Sequence, residues 1–276
     1  MGPVLALASA LSFGMSDFAG GLASRRASAL IVTAGAQLAG LVVLLPALAA
    51  LPGASSARAL TIGALAGVLG AGGLVLYLRC MAVGPMGVVS PLAALVGVAV
   101  PVAWGVALSG ERLAATEVAG ILLGGVAVGC VAYVRGGGRL TDLRGPLLAL
   151  VSGAAFGGFF VALDATPADS GLWPLLGARL AGLGLLAGLL VLAPRRSPDG
   201  RTSWLILASG VLDMTANVLF LLATRADLLS LSALLASLYP VVVVVLARQL
   251  LAERLTRLQV GGVTAALAAT ALIVAS

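Results

Sequence analysis

The chain alternates between long apolar stretches and short polar breaks. Ten stretches of about 20 residues recur, each long enough to cross a hydrocarbon core of ~30 Å as an α-helix. They lie near 3–23, 29–51, 60–82, 87–109, 116–134, 146–164, 172–193, 204–224, 228–251 and 257–275. Arginine, glycine, proline and glutamate separate them, as at Pro52-Gly53 and Gly84-Pro85. The pattern predicts an all-α membrane protein with ten transmembrane helices, a multi-pass protein of the cell (inner) membrane.

Composition supports the bilayer as the solvent of this chain. The sequence is 61% hydrophobic and only 9% charged, which is too little polar surface for a soluble domain. Its 37 glycines suit membrane helices, which associate through close backbone approach. Small-residue pairs such as Gly120/Gly124 and Gly184/Gly188 predict packing within a monomer, and they leave a dimer face open as an alternative.

The residue inventory excludes several kinds of chemistry. The chain has no histidine, and its two cysteines are Cys80 and Cys130. The sequence therefore excludes Ser–His catalysis and HExxH metalloprotease sites, and two cysteines alone cannot supply the four ligands of a zinc site. No cofactor or metal is expected. The basic residues are all arginines, scattered without a basic stripe, so nucleic acid is not an expected partner.

The two halves of the chain resemble each other. Three segments recur at an offset of 142 or 143 residues: 2–9 with 145–152, 35–41 with 177–183, and 111–113 with 253–255. A flexible Arg-Gly-Gly-Gly-Arg linker at 135–139 separates the halves. We expect one five-helix repeat in 1–139 and a second in 140–276. Because five is an odd number, the second repeat must enter the membrane inverted.

Arginine placement predicts the orientation. Twelve arginines lie in or beside one set of loops and three in the opposite set. The twelve are Arg25, Arg26, Arg79, Arg135, Arg139, Arg144, Arg195, Arg196, Arg201, Arg248, Arg254 and Arg257. Cytoplasmic loops are enriched in arginine, so both termini are expected outside the cytoplasm.

The end of each half resembles a known family. After helices that end at Ala82 and Ala223 come a short hinge and a proline-containing helix. Then follow Gly-Glu-Arg-Leu at 110–113 and Ala-Glu-Arg-Leu at 252–255, before a last apolar helix. Over its whole length the chain resembles EamA-type proteins of the drug/metabolite transporter superfamily. The resemblance implies transport by alternating access through a central cavity between the repeats. It also implies cytoplasmic termini, contrary to the arginine distribution.

Charged residues inside the spans are candidates for transport chemistry, since a carboxylate at a helix centre costs roughly 2.5–3.5 kcal/mol. Asp213 lies near the middle of the eighth span, with Asn217 four residues on and on the same face. It is interpreted as a proton or substrate site, with an interhelical hydrogen-bond clamp as the alternative. Asp17 either lines the same cavity or pairs with Arg25 or Arg26.

Arg179 in the seventh span occupies the repeat position of Gln37. We interpret Arg179 as snorkelling to the headgroups, or else as a counter-ion for Asp213 or for a substrate carboxylate. Pro91, Pro101 and the pair Tyr239-Pro240 lie in equivalent helices, and paired interruptions point to a transporter binding site.

Tyr239 and Trp104 are the aromatic residues expected to contact a ligand. Packing kinks and ordinary packing are the alternatives for the prolines and the two aromatics.

Three functions remain. The first is a secondary-active transporter, expected to export small metabolites, amino acids or drugs, and coupled to protons through Asp213. The chain has no GxxxxGK[ST] loop, which argues against direct drive by ATP. The second is an intramembrane enzyme, which the sequence disfavours because the aspartates lack protease motifs. The third is a non-transporting scaffold or sensor.

Overall fold

The predicted helices are present. A computed structural model describes residues 2–108, 115–132, 144–167, 169–192, 198–226 and 238–274, with ten α-helices and no strand in these ranges. The helices are α1 Gly2–Ser24, α2 Ala29–Ala50, α3 Ala57–Val83, α4 Met86–Leu108, α5 Ala115–Ala132, α6 Arg144–Asp164, α7 Trp173–Val191, α8 Gly200–Ala226, α9 Tyr239–Leu250 and α10 Arg257–Val274. Residues 228–237 of the ninth predicted span lie outside the described residues.

Six helices are long and apolar enough to cross a membrane: α1, α2, α3, α7, the segment Leu147–Asp164 of α6, and Gly200–Phe220 of α8. Their exposed side chains are mostly large and apolar, among them Val42 in α2, Leu65 in α3 and Leu180 in α7. Apolar side chains on the outside suit a surface that meets lipid rather than water. The chain is therefore a multi-pass helical membrane protein.

Local sequence explains where several helices begin. Ser28 and Ser56 cap α2 and α3, each hydroxyl accepting a hydrogen bond from a backbone N–H three residues on. At the start of α10, the Gln259 side chain accepts from the Thr256 N–H at 2.9 Å, and the Thr256 hydroxyl accepts from the Gln259 N–H at 3.3 Å. This reciprocal pair is a capping box, which satisfies donors that the helix itself leaves free.

Helix packing follows a paired pattern. α1 packs along α8 while α6 packs along α3, and α2 packs along α8 while α7 packs along α3. α4 packs on α6 as α9 packs on α1, and α5 packs on α10. Each of these seven contacts maps onto another of them, or onto itself, when the first five helices are exchanged for the last five. The contacts of α10 with α4 and of α1 with α3 have no comparable counterpart among the described residues.

The closest helix contacts show the same pairing at single residues. A Cβ on Gly67 would collide with the carbonyl oxygen of Ala178, and a Cβ on Gly210 with that of Ala36. Gly67 and Gly210 are 143 positions apart, and Ala36 and Ala178 are 142 apart. Only glycine lets the backbones approach so closely at α3/α7 and α2/α8.

Candidate functional site

The first helix has two faces of opposite character. One face carries a stripe of exposed apolar side chains at helical spacing, namely Val4, Leu7, Leu11 and Met15. Phe13 and Asp17 lie four residues apart on the opposite face, and both are partly accessible. A carboxylate is kept away from lipid, so the space that Asp17 meets lies inside the helix bundle.

Asp17 is held by a tyrosine from another helix. The Tyr77 hydroxyl in α3 donates a 2.8 Å hydrogen bond to the Asp17 carboxylate. The Tyr77 ring is buried and packs edge-on against Phe156 of α6, with ring centroids 5.7 Å apart. Ser90 of α4 is buried beside Tyr77. A polar centre thus joins α1, α3, α4 and α6.

A second aromatic pair adjoins this centre. The rings of Phe13 and Tyr239 are 6.1 Å apart at a tilted angle. Phe13 lies one helical turn before Asp17 on the same face of α1. We call Phe13, Asp17, Tyr77, Phe156 and Tyr239 the Asp17 site. It combines two aromatic pairs from α1, α3, α6 and α9 with one carboxylate, which Tyr77 contacts directly.

The second polar group lies between α2, α7 and α8. Arg179 donates one hydrogen bond to Gln37 and forms an ion pair with Asp213. Arg179 is only 8% exposed and Gln37 7%, whereas the Asp213 side chain keeps 27% of its surface. We call these three residues the Arg179 cluster. Its two charges cancel, as a buried pair requires.

Glycine makes room for the guanidinium. A Cβ on Gly40 of α2 would lie 3.4 Å from the Arg179 Cζ atom and 3.2 Å from the carbonyl oxygen of Gly210. The Arg179 cluster is therefore built into the close contact of α2 with α8. Asp213 lies on α8, which packs along α1, the helix that carries Asp17.

Comparisons with known proteins agree with this architecture. Residues 143–275 match the model of the EamA-like transporter family. The match covers 133 of the 276 residues, the second half of the chain. The family resemblance expected from the helix ends is confirmed, and with it a membrane transporter of the drug/metabolite type.

A solved structure shares the fold of this EamA-like transporter. It is titled only as the crystal structure of a protein and superposes with a TM-score of 0.67 at 19% identity, covering 98% of this chain and 97% of its own. At that identity the likeness concerns the fold alone. No curated protein sequence matches the chain.

The structure brings three predicted residues of this EamA-like transporter together: Gln37, Arg179 and Asp213. The snorkelling interpretation of Arg179 is wrong, because its guanidinium is buried between helices and pairs with Asp213. The counter-ion alternative describes the contact that is present. Asn217 does not orient the carboxyl group; its amide donates to the Asp213 backbone oxygen at 2.8 Å, one turn back along α8.

Asp17 does not pair with either neighbouring arginine. Arg25 instead forms a 2.9 Å ion pair with Glu253, and Arg26 is exposed. Glu253 also accepts hydrogen bonds from the N–H groups of Met86 and Gly87, each at 3.2 Å. A carboxylate there satisfies free donors at the start of α4 and favours the positive end of the helix dipole.

The predicted prolines and Trp104 fall in different settings. Pro91 and Pro101 lie inside α4, and Pro91 is buried. Pro240 does not interrupt a described helix: it lies in the first turn of α9, where the missing N–H would have no partner anyway. Trp104 is 52% exposed.

Sequence reasoning missed Phe13, Tyr77 and Phe156 as site residues. A signal existed for two of them, since Phe13-Gly14 and Phe156-Gly157 recur at the repeat offset. Each of these phenylalanines belongs to one of the two aromatic pairs. Tyr77 had no such signal, being one aromatic residue in a glycine-rich span. Within the described ranges no three Cys, Asp or Glu side chains gather to hold a metal ion.

Proposed function

We propose that the chain is a secondary-active exporter of small metabolites, amino acids or drugs in the cell membrane, working by alternating access. The observation that carries the proposal is the position of Asp17. Its carboxylate lies on the side of α1 that faces away from lipid, is partly accessible, accepts a hydrogen bond from Tyr77 and shares its helix face with Phe13, which packs against Tyr239. An accessible polar group within an apolar, aromatic-lined interior is typical of a small-molecule site. We propose no enzymatic step.

We further propose that residues 1–139 and 140–276 form two inverted repeats that move relative to each other. The exchangeable helix contacts and the matched glycine contacts support this arrangement. The Asp17 site draws residues from both halves, with Phe13, Asp17 and Tyr77 from the first and Phe156 and Tyr239 from the second. Rocking of one repeat against the other would open and close it.

Proton coupling needs a carboxylate that exchanges a proton for substrate. The sequence favoured Asp213 for this role, and that stays a prediction. Its carboxylate already has a buried cationic partner in Arg179, so freeing it requires the ion pair to open. Asp17 carries no such restriction, because its recorded hydrogen bond is donated by a neutral phenol. We therefore propose Asp17 as the coupling carboxylate and Asp213 as the counter-ion that fixes Arg179.

Proteoliposomes loaded with a fluorescent pH indicator test the proposal without a labelled substrate. Individual amino acids, amines and small drugs are added outside, and a coupled transporter should change the internal pH for at least one of them. Counterflow of that compound, labelled, should then exchange across the membrane without a gradient. Protein-free vesicles and an Asp17→Asn variant are the controls. No pH change and no counterflow for any compound would reject the transporter.

A further inference from the structure

The turn between α9 and α10 is tied to two other helix ends. Glu253 in this turn forms a 2.9 Å ion pair with Arg25, which directly follows α1. The same carboxylate accepts hydrogen bonds from the backbone N–H groups of Met86 and Gly87 at the start of α4, each at 3.2 Å. Arg25 also donates to the carbonyl oxygen of Gly84 at 3.4 Å. We call Arg25, Gly84, Met86, Gly87 and Glu253 the Glu253 latch.

All the contacts of this carboxylate join one half of the chain to the other. Glu253 belongs to the second half, whereas Arg25, Met86 and Gly87 belong to the first. The Arg25 side chain keeps 31% of its surface exposed and that of Glu253 14%. Water can therefore take over these bonds when the halves separate, so the contact is one that can open and close.

The Glu253 latch lies beyond the Asp17 site, at the arginine-rich end of the bundle, where α1 and α9 end and α4 and α10 begin. Asp17 precedes Arg25 on α1 by eight residues, about 12 Å along the helix axis. In α4, the buried Ser90 lies one turn after Met86 and beside Tyr77, which binds Asp17. A path from the Asp17 site to this end of the bundle thus leads to the latch.

The turn that carries Glu253 is strained. Ala252 has a φ of 51°, in the left-handed region that alanine rarely adopts, and no other non-glycine residue in the described ranges has a positive φ. Strained backbone persists where surrounding contacts hold it, and it concentrates at switch regions. Here the Glu253 N–H donates to the Ala247 carbonyl oxygen at 3.3 Å while α1 and α4 hold the carboxylate. Release of the carboxylate would let the turn relax.

The opposite end of the bundle is joined without charge. At the repeat offset, Arg25 corresponds to the connection 165–172, which contains no arginine or lysine, and Glu111, the counterpart of Glu253, lies outside the described residues. At this end the Trp173 indole N–H donates to the Gly53 carbonyl oxygen at 3.2 Å. An ion pair between Arg25 and Glu253 is therefore a feature of the arginine-rich end.

We propose that the Glu253 latch is the gate that closes the Asp17 site towards the arginine-rich end of the bundle. Transport opens the ion pair and frees the start of α4, because both contacts cross between the halves. Glu253 is a positioning residue: it holds the closed state and does not touch the substrate. The inference rests on the proposed function and assigns the closure of one of its two states.

A reporter cysteine at Ser90 measures opening without any substrate. Ser90 is buried, and serine and cysteine differ by one atom. The purified full-length protein carries Ser90→Cys with Cys80→Ser and Cys130→Ser, and its labelling rate is measured with a cationic and an anionic methanethiosulfonate. Both reagents should label it slowly. A parallel change with both reagents reports opening rather than a change in local charge.

Variants of the Glu253 latch should label faster. Arg25→Gln removes a partly exposed ion pair and should raise the rate about two- to fivefold. Glu253→Ala also leaves two α4 N–H groups unpaired and should raise it about tenfold or more. The double variant should label no faster than Glu253→Ala, because loss of Glu253 already breaks the pair. Arg25 is exposed, so its variant keeps the test available should Glu253→Ala not fold.

Two controls separate the gate from general loosening. Arg26→Gln removes a neighbouring exposed arginine outside the latch, and Trp173→Phe removes the contact with Gly53 at the opposite end. Neither should raise the labelling rate. Fast labelling of the reporter with the latch intact, unchanged rates in Arg25→Gln, or an equal rise in Trp173→Phe each overturns the proposal.

The flux assay separates this inference from the proposed function. Flux of a compound, with unchanged labelling in the latch variants, would overturn the gate and leave the transporter standing. Faster labelling in those variants, with no flux of any compound, would support the opening contact and remove the transporter.

Discussion

Arg179 of α7 donates a hydrogen bond to Gln37 of α2, the residue 142 positions earlier. The sequence comparison aligns these two positions with each other, and the matching segments 35–41 and 177–183 contain them. Two equivalent residues can touch each other only where the axis relating the two halves passes between them. The contact therefore supports the proposed twofold relation between the halves. The contact itself is asymmetric, because only the second half supplies the positive charge that Asp213 neutralises.

Breaking the Arg179 cluster should destabilise the protein. Arg179→Gln leaves Asp213 charged without its partner, which we expect to cost about 3 kcal/mol, the lower end for a buried pair because Asp213 is partly exposed. The double variant Arg179→Gln/Asp213→Asn removes both charges and should recover much of that loss. Thermal unfolding in detergent measures both. Arg58→Gln, at the exposed start of α3, is the matched control and should unfold as the wild type.

Asp17 and Asp213 can be told apart by their effect on coupling. Asp17→Asn cannot titrate and should abolish substrate-induced proton flux while permitting counterflow exchange. Asp213→Asn alone would leave the buried Arg179 guanidinium without its partner. We therefore combine it with Arg179→Gln, and we expect proton flux to persist in this double variant. The pH-indicator assay measures both variants with the compound that gives the largest flux. Normal proton flux by Asp17→Asn together with its loss in the double variant would return the coupling role to Asp213.

Glu253 should stabilise the start of α4. Glu253→Ala removes the acceptor for the Met86 and Gly87 N–H groups and the partner of Arg25, which we expect to cost about 1–2 kcal/mol. Glu253→Gln keeps an acceptor oxygen and should cost about half as much. Thermal unfolding tests the series. Arg254→Ala, at the exposed neighbouring position, is the control; an equal loss there would show that the turn itself, rather than the carboxylate, matters.

The glycines at the helix contacts should tolerate no side chain. Gly67→Ala would push α3 away from α7, and Gly210→Ala would push α8 away from α2. We expect each overpacked contact to lower the free energy of unfolding by about 1–3 kcal/mol. Gly184→Ala meets nothing within 4 Å and should be tolerated. Unfolding temperatures of the three variants check this. Equal tolerance at all three positions would contradict the close approach of these helices.

The arginine distribution predicts both termini outside the cytoplasm. An alkaline phosphatase fused after Ser276 should be active, and a fluorescent protein that matures only in the cytoplasm should be dark there. Fusions in the loop near Arg195 and Arg196 should behave in the opposite way. A fluorescent, phosphatase-silent C-terminus would reverse the orientation while leaving the fold as described.

Part of the site was within reach of sequence. Asp17, Gln37, Arg179 and Asp213 were identified because a charged or amide group inside an apolar span stands out against its neighbours. Their partners were not, because helical spacing relates residues within one helix and says nothing about which helices meet. Asn217 shares a face with Asp213 along α8, yet its rotamer directs the amide to the backbone of the previous turn rather than to the carboxylate.

The sequence by itself determined the helical membrane fold. Apolar stretches of sufficient length, divided by polar breaks, leave the α-helix as the form that satisfies every backbone group in lipid. Tertiary structure decided what the polar side chains do. The Arg179 side chain is long enough to reach the headgroups from the first third of α7. It lies inside the bundle instead, because Asp213 on α8 pairs with it and Gly40 leaves room for its guanidinium. Tyr77, one aromatic residue among the small ones of α3, binds Asp17 because packing brings α1 against α3. A buried polar group needs a partner, and only the packing of the helices fixes which partner is in reach.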